Sequence, residues 1–329
     1  MQFRDLFSFK PFGKGYKTRC ILEFQMLKKI IGNILLGTTL LSSPVWAQAS
    51  ENTEMPFTPA PSQEVTEVEV FLKGYVFGLR IAKVKYKTGF TDDAYYSLAS
   101  MKTSGLGAFL KKWAIWSIST GRFNGMDILP TTHLQQNLNK KNRRVEMTYG
   151  ADKVDVSIVP PLGSQGVPPA TAKQRFESDD TLSVLLKLTM GGFKTSEKVC
   201  DGTVPVFDSK QHYNLRMERD GEKYIKQKGF KGDTIRCKIY YDAISGYDPE
   251  DLPSEEEAAT PVTVYLSRND DIGMYIPVKM VYKISGFSAV IKTRDIKITK
   301  RTVNKLDFKG LGFAEQETRL KRINFLAKD

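Results

Sequence analysis

The sequence has few of the residues from which metal sites and nucleophiles are built. Its 329 residues include only three cysteines and two histidines, His133 and His212. A zinc site needs more ligands than two cysteines and two distant histidines provide. No Gly-x-Ser-x-Gly segment seats a serine nucleophile, and no Walker-type loop binds nucleotide phosphates. We therefore predict no metal site, no cofactor and no enzymatic activity, and we interpret each histidine as a surface or turn residue.

The sequence also lacks an apolar run long enough to cross a membrane as a helix, which takes roughly 20 residues. The apolar run at 30–41 is shorter, follows Lys28 and Lys29, and precedes the small-x-small segment Ala47-Gln48-Ala49. This order is typical of a cleaved signal peptide. No cysteine follows the apolar run, so a lipoprotein signal is not favoured. We predict export to the periplasm.

The residues that precede this signal leave two starting points open. Residues 1–25 carry several basic residues well ahead of the apolar run. Either the positively charged region is long, or translation begins at Met26, which is the interpretation that we favour. On both interpretations residues 1–49 contain the signal peptide, and the folded protein begins near Gln48 or Ser50.

The charge of the chain falls once the signal is removed. The full sequence has 49 Lys and Arg, 37 Asp and Glu, and a net charge of +12. Residues 1–47 hold seven of the basic and two of the acidic residues, which leaves 42 against 35 and a net charge of +7. This mild basicity suits a protein near anionic lipid or glycan and predicts no nucleic-acid partner.

Two cysteines remain after the signal, Cys200 and Cys237. A sparse, even number in an oxidising compartment favours one structural disulfide. A redox pair usually has Cys-x-x-Cys spacing, and a zinc site would need further ligands. We predict a Cys200–Cys237 disulfide, with residues 201–208 forming a tight connection beside it.

Most of the mature chain alternates apolar and polar residues, as half-buried antiparallel strands do. Residues 50–64 are polar and rich in proline, which predicts a disordered leader. Residues 65–310 are interpreted as a single β-rich domain, and residues 311–329 as a C-terminal tail that can form a helix. The predicted strands are 65–72, 81–87, 95–101, 115–123, 143–149, 154–159, 213–218, 234–241, 262–267, 276–284 and 289–299.

One segment, 179–190, has the spacing of a helix. Ser178 is a suitable N-cap, Asp179 and Asp180 fall in the first turn, and two glycines at 191–192 end the segment. Its apolar residues cover most of the circumference, which predicts a buried helix inside the curve of the sheet.

Three segments resemble a known family. DTLSVLL at 180–186, CDGTVPVFD at 200–208 and YNL at 213–215 are similar to the domain-of-unknown-function family 3108, over about residues 71–299. These are exported proteins of Gram-negative bacteria, similar to curled-sheet periplasmic proteins that support envelope integrity. The resemblance implies a mainly β fold with one long bent antiparallel sheet, spiral or open-barrel-like, a buried helix and one disulfide. It implies no reaction.

Basic residues are the candidates for contact with an anionic partner. Family members tend to carry Gly and Arg after the Phe-Asp of the second segment, whereas this chain continues with Ser209, and Lys210 is the surviving positive charge. A second basic run contains Lys140, Lys141, Arg143 and Arg144. It either contacts phosphate or anionic lipid, or forms a charged hairpin that protects a sheet edge.

Two functional hypotheses follow. In the first, the protein is a non-catalytic periplasmic module that supports envelope integrity by binding an envelope protein or glycan. In the second, it carries or binds a lipid or acyl chain in a curved β-sheet cavity. An unrecognised hydrolase is a third. A filled core would favour the first hypothesis, an apolar cavity the second, and converging carboxylates the third.

Overall fold

The computed structural model describes residues 63–110, 112–124, 127–138, 142–190 and 199–303. Thirteen antiparallel strands form one sheet in the order β7-β6-β5-β4-β3-β2-β1-β13-β12-β11-β10-β9-β8. Each strand pairs with the next strand in the chain, except that β7 does not pair with β8, and β1 also pairs with β13. Strands β7 and β8 are therefore the edges of an open sheet. The predicted mainly β fold with one long antiparallel sheet is confirmed.

The described residues contain four α-helices and thirteen strands. The helices are α1 (Leu106–Leu110), α2 (Ala172–Phe176), α3 (Thr181–Met190) and α4 (Glu255–Ala259). The strands are β1 (Gln63–Val76), β2 (Leu79–Phe90), β3 (Ala94–Thr103), β4 (Ala114–Asn124), β5 (Asp127–Asn137), β6 (Arg144–Tyr149), β7 (Val154–Val159), β8 (Gly202–Phe207), β9 (His212–Gln227), β10 (Phe230–Ser245), β11 (Val262–Asn269), β12 (Met274–Ile284) and β13 (Phe287–Val303).

The longest helix, α3, is the buried helix that the sequence predicts. Val184, Leu186 and Leu188 belong to the main hydrophobic core, together with residues of β1, β9, β10, β12 and β13. The predicted cap is wrong by two residues. Asp180 Oδ1 accepts hydrogen bonds from the backbone N–H groups of Leu182, at 2.9 Å, and Ser183, at 3.1 Å. The carboxylate of Asp180 therefore caps a helix that begins at Thr181.

Two strands were not predicted, and each contains a proline. Pro130 lies in β5 opposite a register shift in β4, where the ladder tolerates a residue without an N–H. Pro205 lies in β8, an edge strand, so the predicted tight connection at 201–208 is wrong. The free edge of β8 is covered by Asp179, whose N–H donates to the Pro205 carbonyl at 3.2 Å.

The predicted disulfide is present. Cys200 precedes β8 and Cys237 lies in β10, with their Cα atoms 5.5 Å apart. Both residues are buried in the main core. The bond closes a separation of 37 residues, which loop-entropy arguments equate with roughly 3–4 kcal/mol of stability.

The predicted signal at 1–49, most of the predicted leader and the tail at 311–329 lie outside the described residues. The boundaries of a single domain at 65–310 stay a prediction. Within the part of the chain that the structure describes, no helix is long and apolar enough to span a membrane, and no group of three or more His, Cys, Asp or Glu residues is placed to hold a metal ion.

Candidate functional site

An apolar cavity lies between α3 and the inner face of the sheet. Its volume is about 130 Å³, and its walls come from α3, β1, β2, β3, β8, β9, β10, β12 and β13. Because inward-facing residues alternate along each strand, neighbouring strands present a continuous aliphatic surface to the helix. Among the side chains that line the cavity are Leu72, Val84, Leu185, Leu188, Met217 and Ile291.

The interior at this place is not filled. Val84, Leu185, Met217 and Met280 line the cavity and are only half-buried, although protein cores normally leave few voids larger than a water molecule. For comparison, an engineered cavity of roughly 150 Å³ takes up benzene. The present cavity therefore has room for about six apolar carbon atoms.

Among the described residues that line the cavity, the polar side-chain groups are all hydroxyls. Tyr86 reaches Ser97 at 3.5 Å, and burial raises the pKa of Tyr86 to about 12, so its hydroxyl stays neutral. The Thr181 hydroxyl is buried and has no hydrogen-bond partner among the described residues. No charged residue is among the described residues of the lining. The cavity thus suits an apolar chain with at most one uncharged polar group, which Thr181 could bind.

A cluster of buried polar side chains fixes the beginning of α3 beside this cavity. Asp180 Oδ1 accepts from the Ser119 hydroxyl at 2.5 Å and lies 3.0 Å from His133 Nδ1. Asp180 Oδ2 accepts from the Ser183 hydroxyl at 2.5 Å. Tyr95 and Ser183 hydroxyls are 2.7 Å apart, and because the Ser183 proton points to Asp180, Tyr95 is the donor. The cluster joins α3 to β3, β4 and β5.

The electrostatics of the cluster favour an ionised carboxylate. Burial by itself opposes the charge on Asp180, but the attraction and hydrogen bond of His133, with the hydroxyls of Ser119 and Ser183, hold its pKa at about 2. Burial and the negative charge of Asp180 raise the pKa of Tyr95 well above its ordinary value. The neighbouring groups are therefore donors directed at one buried anion.

Ser119, His133 and Asp180 are the residue types of a catalytic triad, but their geometry differs from one. The serine of a triad bonds Nε2 of the histidine while the aspartate bonds Nδ1. Here both the Ser119 hydroxyl, at 2.8 Å, and Asp180 lie against Nδ1 of His133, and all three side chains are buried. The cluster has the arrangement of a structural anchor.

The structure tests the interpretation of both histidines. His133 was predicted at the surface or in a turn, yet it lies inside β5 and is 2% exposed. His212 follows the β8–β9 turn, as predicted, but is also buried, and burial lowers its pKa. The interpretation is wrong for His133, because an isolated polar residue carries no sequence signal for its partner, whereas for His212 only the burial differs from the prediction.

The predicted anion contacts lie apart along the chain and have partners within the protein. Lys210 Nζ is 2.6 Å from Asp248 Oδ2. Arg143 donates to the carbonyls of Pro160 and Pro161, and Arg144 forms an ion pair with Glu146. Lys140 and Lys141 lie outside the described residues. A role in anion binding stays a prediction for all of these basic residues.

Comparisons with known proteins place the chain in a family. Among solved structures, it is similar to the crystal structure of a beta-barrel-like protein of domain of unknown function DUF1849 from Brucella abortus. That match has 13% identity and a TM-score of 0.45, and covers 73% of this chain and 100% of the other. No curated protein matches. The model of the family "Protein of unknown function (DUF3108)" matches residues 67–288, so the chain belongs to the DUF3108 family.

Proposed function

We propose that this protein is a non-catalytic periplasmic binder of an apolar chain, such as the acyl chain of a lipid, which it holds between α3 and the sheet. The observation that carries the proposal is the unfilled aliphatic cavity beside α3. A disulfide between Cys200 and Cys237 is in keeping with an oxidising compartment. A simple envelope-binding module would have a filled core, so the cavity does not favour that hypothesis.

The size of the cavity limits the affinity that it alone can supply. Burial of six carbon atoms contributes about 5 kcal/mol before any entropic cost, and a dissociation constant of 1 mM corresponds to about 4 kcal/mol. A tightly bound long chain therefore requires more room than the unliganded cavity has. The side of α3 that carries Leu185 and Leu188 borders the cavity, and its displacement would supply that room.

The polar group of the ligand is predicted to be uncharged. Thr181 is the unsatisfied hydroxyl in the wall, and it directly follows the buried carboxylate of Asp180. A ligand carboxylate at Thr181 would be repelled by that charge in a medium of low dielectric. An ester carbonyl or a hydroxyl would not be repelled, so a lipid ester is favoured over a free fatty acid.

The proposal is tested by competition between monolaurin and a hydrophobic dye, N-phenyl-1-naphthylamine. Leu185→Phe and, separately, Ala99→Leu add side-chain volume at the cavity wall and are expected to lower dye uptake at least tenfold. Leu252→Phe is the matched control, because Leu252 is exposed and outside the cavity wall. Equal uptake by all variants, with unchanged thermal unfolding, would refute ligand binding in this cavity.

A further inference from the structure

A row of five lysines crosses the sheet on the face opposite to the cavity. Lys102, Lys83, Lys73, Lys292 and Lys279 come from β3, β2, β1, β13 and β12 and oppose one another directly, pair by pair. Like charges directly opposite each other destabilise a sheet. At a strand spacing of roughly 4.8 Å, this lysine row is about 19 Å long. Folding alone gives no reason for it.

Three lysines of the row have no acidic partner among the described residues. Among the described residues, Lys73, Lys279 and Lys292 belong to no ion pair. Lys292 lies 5.8 Å from the ring of Tyr75, and Lys279 lies 5.1 Å from the ring of Tyr265. Burial and the repulsion of neighbouring lysines, Lys292 first among them, lower the pKa of Lys279. Lys73, Lys279 and Lys292, which are half-buried, are therefore the lysines of the row that are available to an external anion.

Exposed apolar side chains gather at one end of the same strands. Phe77 is 64% exposed in the β1–β2 turn and Leu79 follows it at the start of β2. Helix α1 adds Leu106 and Phe109, of which Phe109 is 87% exposed. Helix α1 is held against the start of β2, where the Ser104 N–H donates to the Ile81 carbonyl at 2.8 Å. We call these four side chains the apolar tip.

The backbone at the apolar tip is unfavourable for the residue that it carries. Phe77 and Gly78 form a two-residue turn with φ angles of 49° and 79°. A turn with two positive φ angles favours Asn-Gly, because the Cβ atom crowds the following carbonyl oxygen there and Asn tolerates this better than an aromatic residue does. The ring of Phe77 packs edge-on against that of Phe287, with centroids 5.8 Å apart, yet most of it is exposed, so this contact does not require a phenylalanine at a strained position.

We propose that the apolar tip and the lysine row form one surface that binds an anionic lipid bilayer. Phe77, Leu79, Leu106 and Phe109 enter the headgroup region, and the lysines attract the lipid phosphates. An acidic polymer would account for the lysines but not for the exposed aromatic rings. Exposed apolar groups beside clustered basic residues are the usual means of binding an anionic membrane surface.

The spacing between the two parts fits this arrangement. Lys73 lies four residues from Phe77 along β1, which is about 14 Å at the usual strand rise. An apolar group buried roughly 5–10 Å below the surface would leave the lysine row within about one Debye length of the phosphates. The exposed Arg80 lies between the apolar tip and the row. The inference does not depend on a ligand in the cavity.

Flotation with vesicles tests the surface. Wild-type protein is expected to bind vesicles of phosphatidylcholine with about 30% phosphatidylglycerol more than tenfold better than phosphatidylcholine alone at low salt. Phe77→Asn/Phe109→Ser, in which Asn suits the turn, should reduce binding at least tenfold. Lys73→Gln/Lys292→Gln should reduce it tenfold to thirtyfold at low salt, with the difference disappearing in 0.5 M NaCl.

The controls match the two changes in kind. Val159→Ser/Leu252→Ser removes exposed apolar side chains elsewhere, and Lys153→Gln/Lys173→Gln removes two exposed lysines. All variants carry the same N-terminus, so any contribution of residues 1–62 is common to them. Control variants that bind vesicles as weakly as the test variants would overturn the proposal. Equal binding of the wild-type protein to neutral and to anionic vesicles would also overturn it, as would binding to polyphosphate without binding to vesicles. Dye uptake is measured separately and is expected to be unchanged.

Discussion

The beginning of α3 and its apolar flank meet the sheet in opposite ways. At the beginning, one carboxylate, Asp180, accepts hydrogen bonds from Ser119 and Ser183 and lies 3.0 Å from Nδ1 of His133. Along the flank, Leu185 and Leu188 face a cavity of about 130 Å³. The first contact has directional partners at fixed distances, and the second is an adaptable aliphatic surface.

The two contacts have different energetic consequences. A buried charge is tolerated only in one arrangement, because a displaced donor leaves the charge uncompensated. An unfilled cavity of this size forgoes about 3 kcal/mol of packing, at roughly 24 cal/mol per Å³. The comparison indicates that α3 is anchored at its beginning and less constrained along its flank, which is what the proposed binding of a ligand beneath the helix would require.

Removal of the buried carboxylate of Asp180 should have the largest effect on the free energy of unfolding. Asp180→Ala leaves His133, Ser119 and Ser183 without their acceptor inside the core, and we expect a loss of roughly 3–5 kcal/mol of unfolding free energy. Asp179→Ala is the matched control, because its half-buried ion pair with Lys187 should cost about 1 kcal/mol or less. Urea unfolding measures both. Equal losses would show that the cluster is not a special anchor.

Substitutions on the two sides of α3 sharpen the same comparison. Leu186 is fully buried in the main core, so Leu186→Ala should cost roughly 2–5 kcal/mol by creating a cavity. Leu185→Ala enlarges a cavity that already exists, and we expect a loss of about 1 kcal/mol with increased dye uptake. Thermal unfolding and dye binding of the two variants separate them. Equal losses would argue against an adaptable flank.

Acid should weaken the contacts of Asp180, and it should not affect the apolar contacts along the flank of α3. The pKa of Asp180 is held at about 2, below its usual value of 3.8, so the folded state favours the ionised form. Its contribution, roughly 2 kcal/mol, is complete above the pKa of the unfolded chain and is lost as the pH falls from about 4 to about 2. Urea titrations at pH 6 and pH 2.5 measure the loss. The difference in unfolding free energy between pH 6 and pH 2.5 should be smaller in Asp180→Asn than in the wild-type protein. The same difference in both proteins would contradict the prediction.

The sequence revealed the apolar part of this comparison more readily than the polar part. Alternation along the strands and the apolar circumference of α3 predicted a buried helix inside a sheet, because burial follows from local periodicity. Strand β5, which carries His133, has a polar sequence and Pro130, so it shows no such alternation. The partners of His133 come from β4 and from the residue before α3, and sequence spacing cannot bring these together.

The same limit applies to the outer face. The lysines of β2 alternate visibly in the sequence, but their opposition to Lys73 and Lys292 depends on strand register. That register includes shifts at Phe71/Leu72 and at Gly74/Tyr75, and a shift of one residue would place the side chains on different faces. Bulges have no sequence signal as clear as that of a turn. The lysine row therefore becomes visible only in the folded sheet.

The smallest effect is expected where the two contacts meet, at Thr181. Its hydroxyl is buried without a partner among the described residues, whereas the next hydroxyl in the helix, that of Ser183, donates to Asp180. Thr181→Val keeps the shape and the β-branch but removes the unsatisfied group, so the unliganded protein should gain up to about 1 kcal/mol. Ser183→Ala should instead lose roughly 1–3 kcal/mol.

Ligand binding gives the second measurement at this position. If Thr181 donates a hydrogen bond to an ester carbonyl, Thr181→Val should weaken the binding of monolaurin about tenfold, the equivalent of one neutral hydrogen bond. Uptake of the dye, which has no ester group, should stay unchanged. Greater stability with weaker ester binding would mean that the protein forgoes stability at Thr181 in favour of its ligand. A less stable variant that binds monolaurin as before would assign the Thr181 hydroxyl to the anchor and not to the cavity.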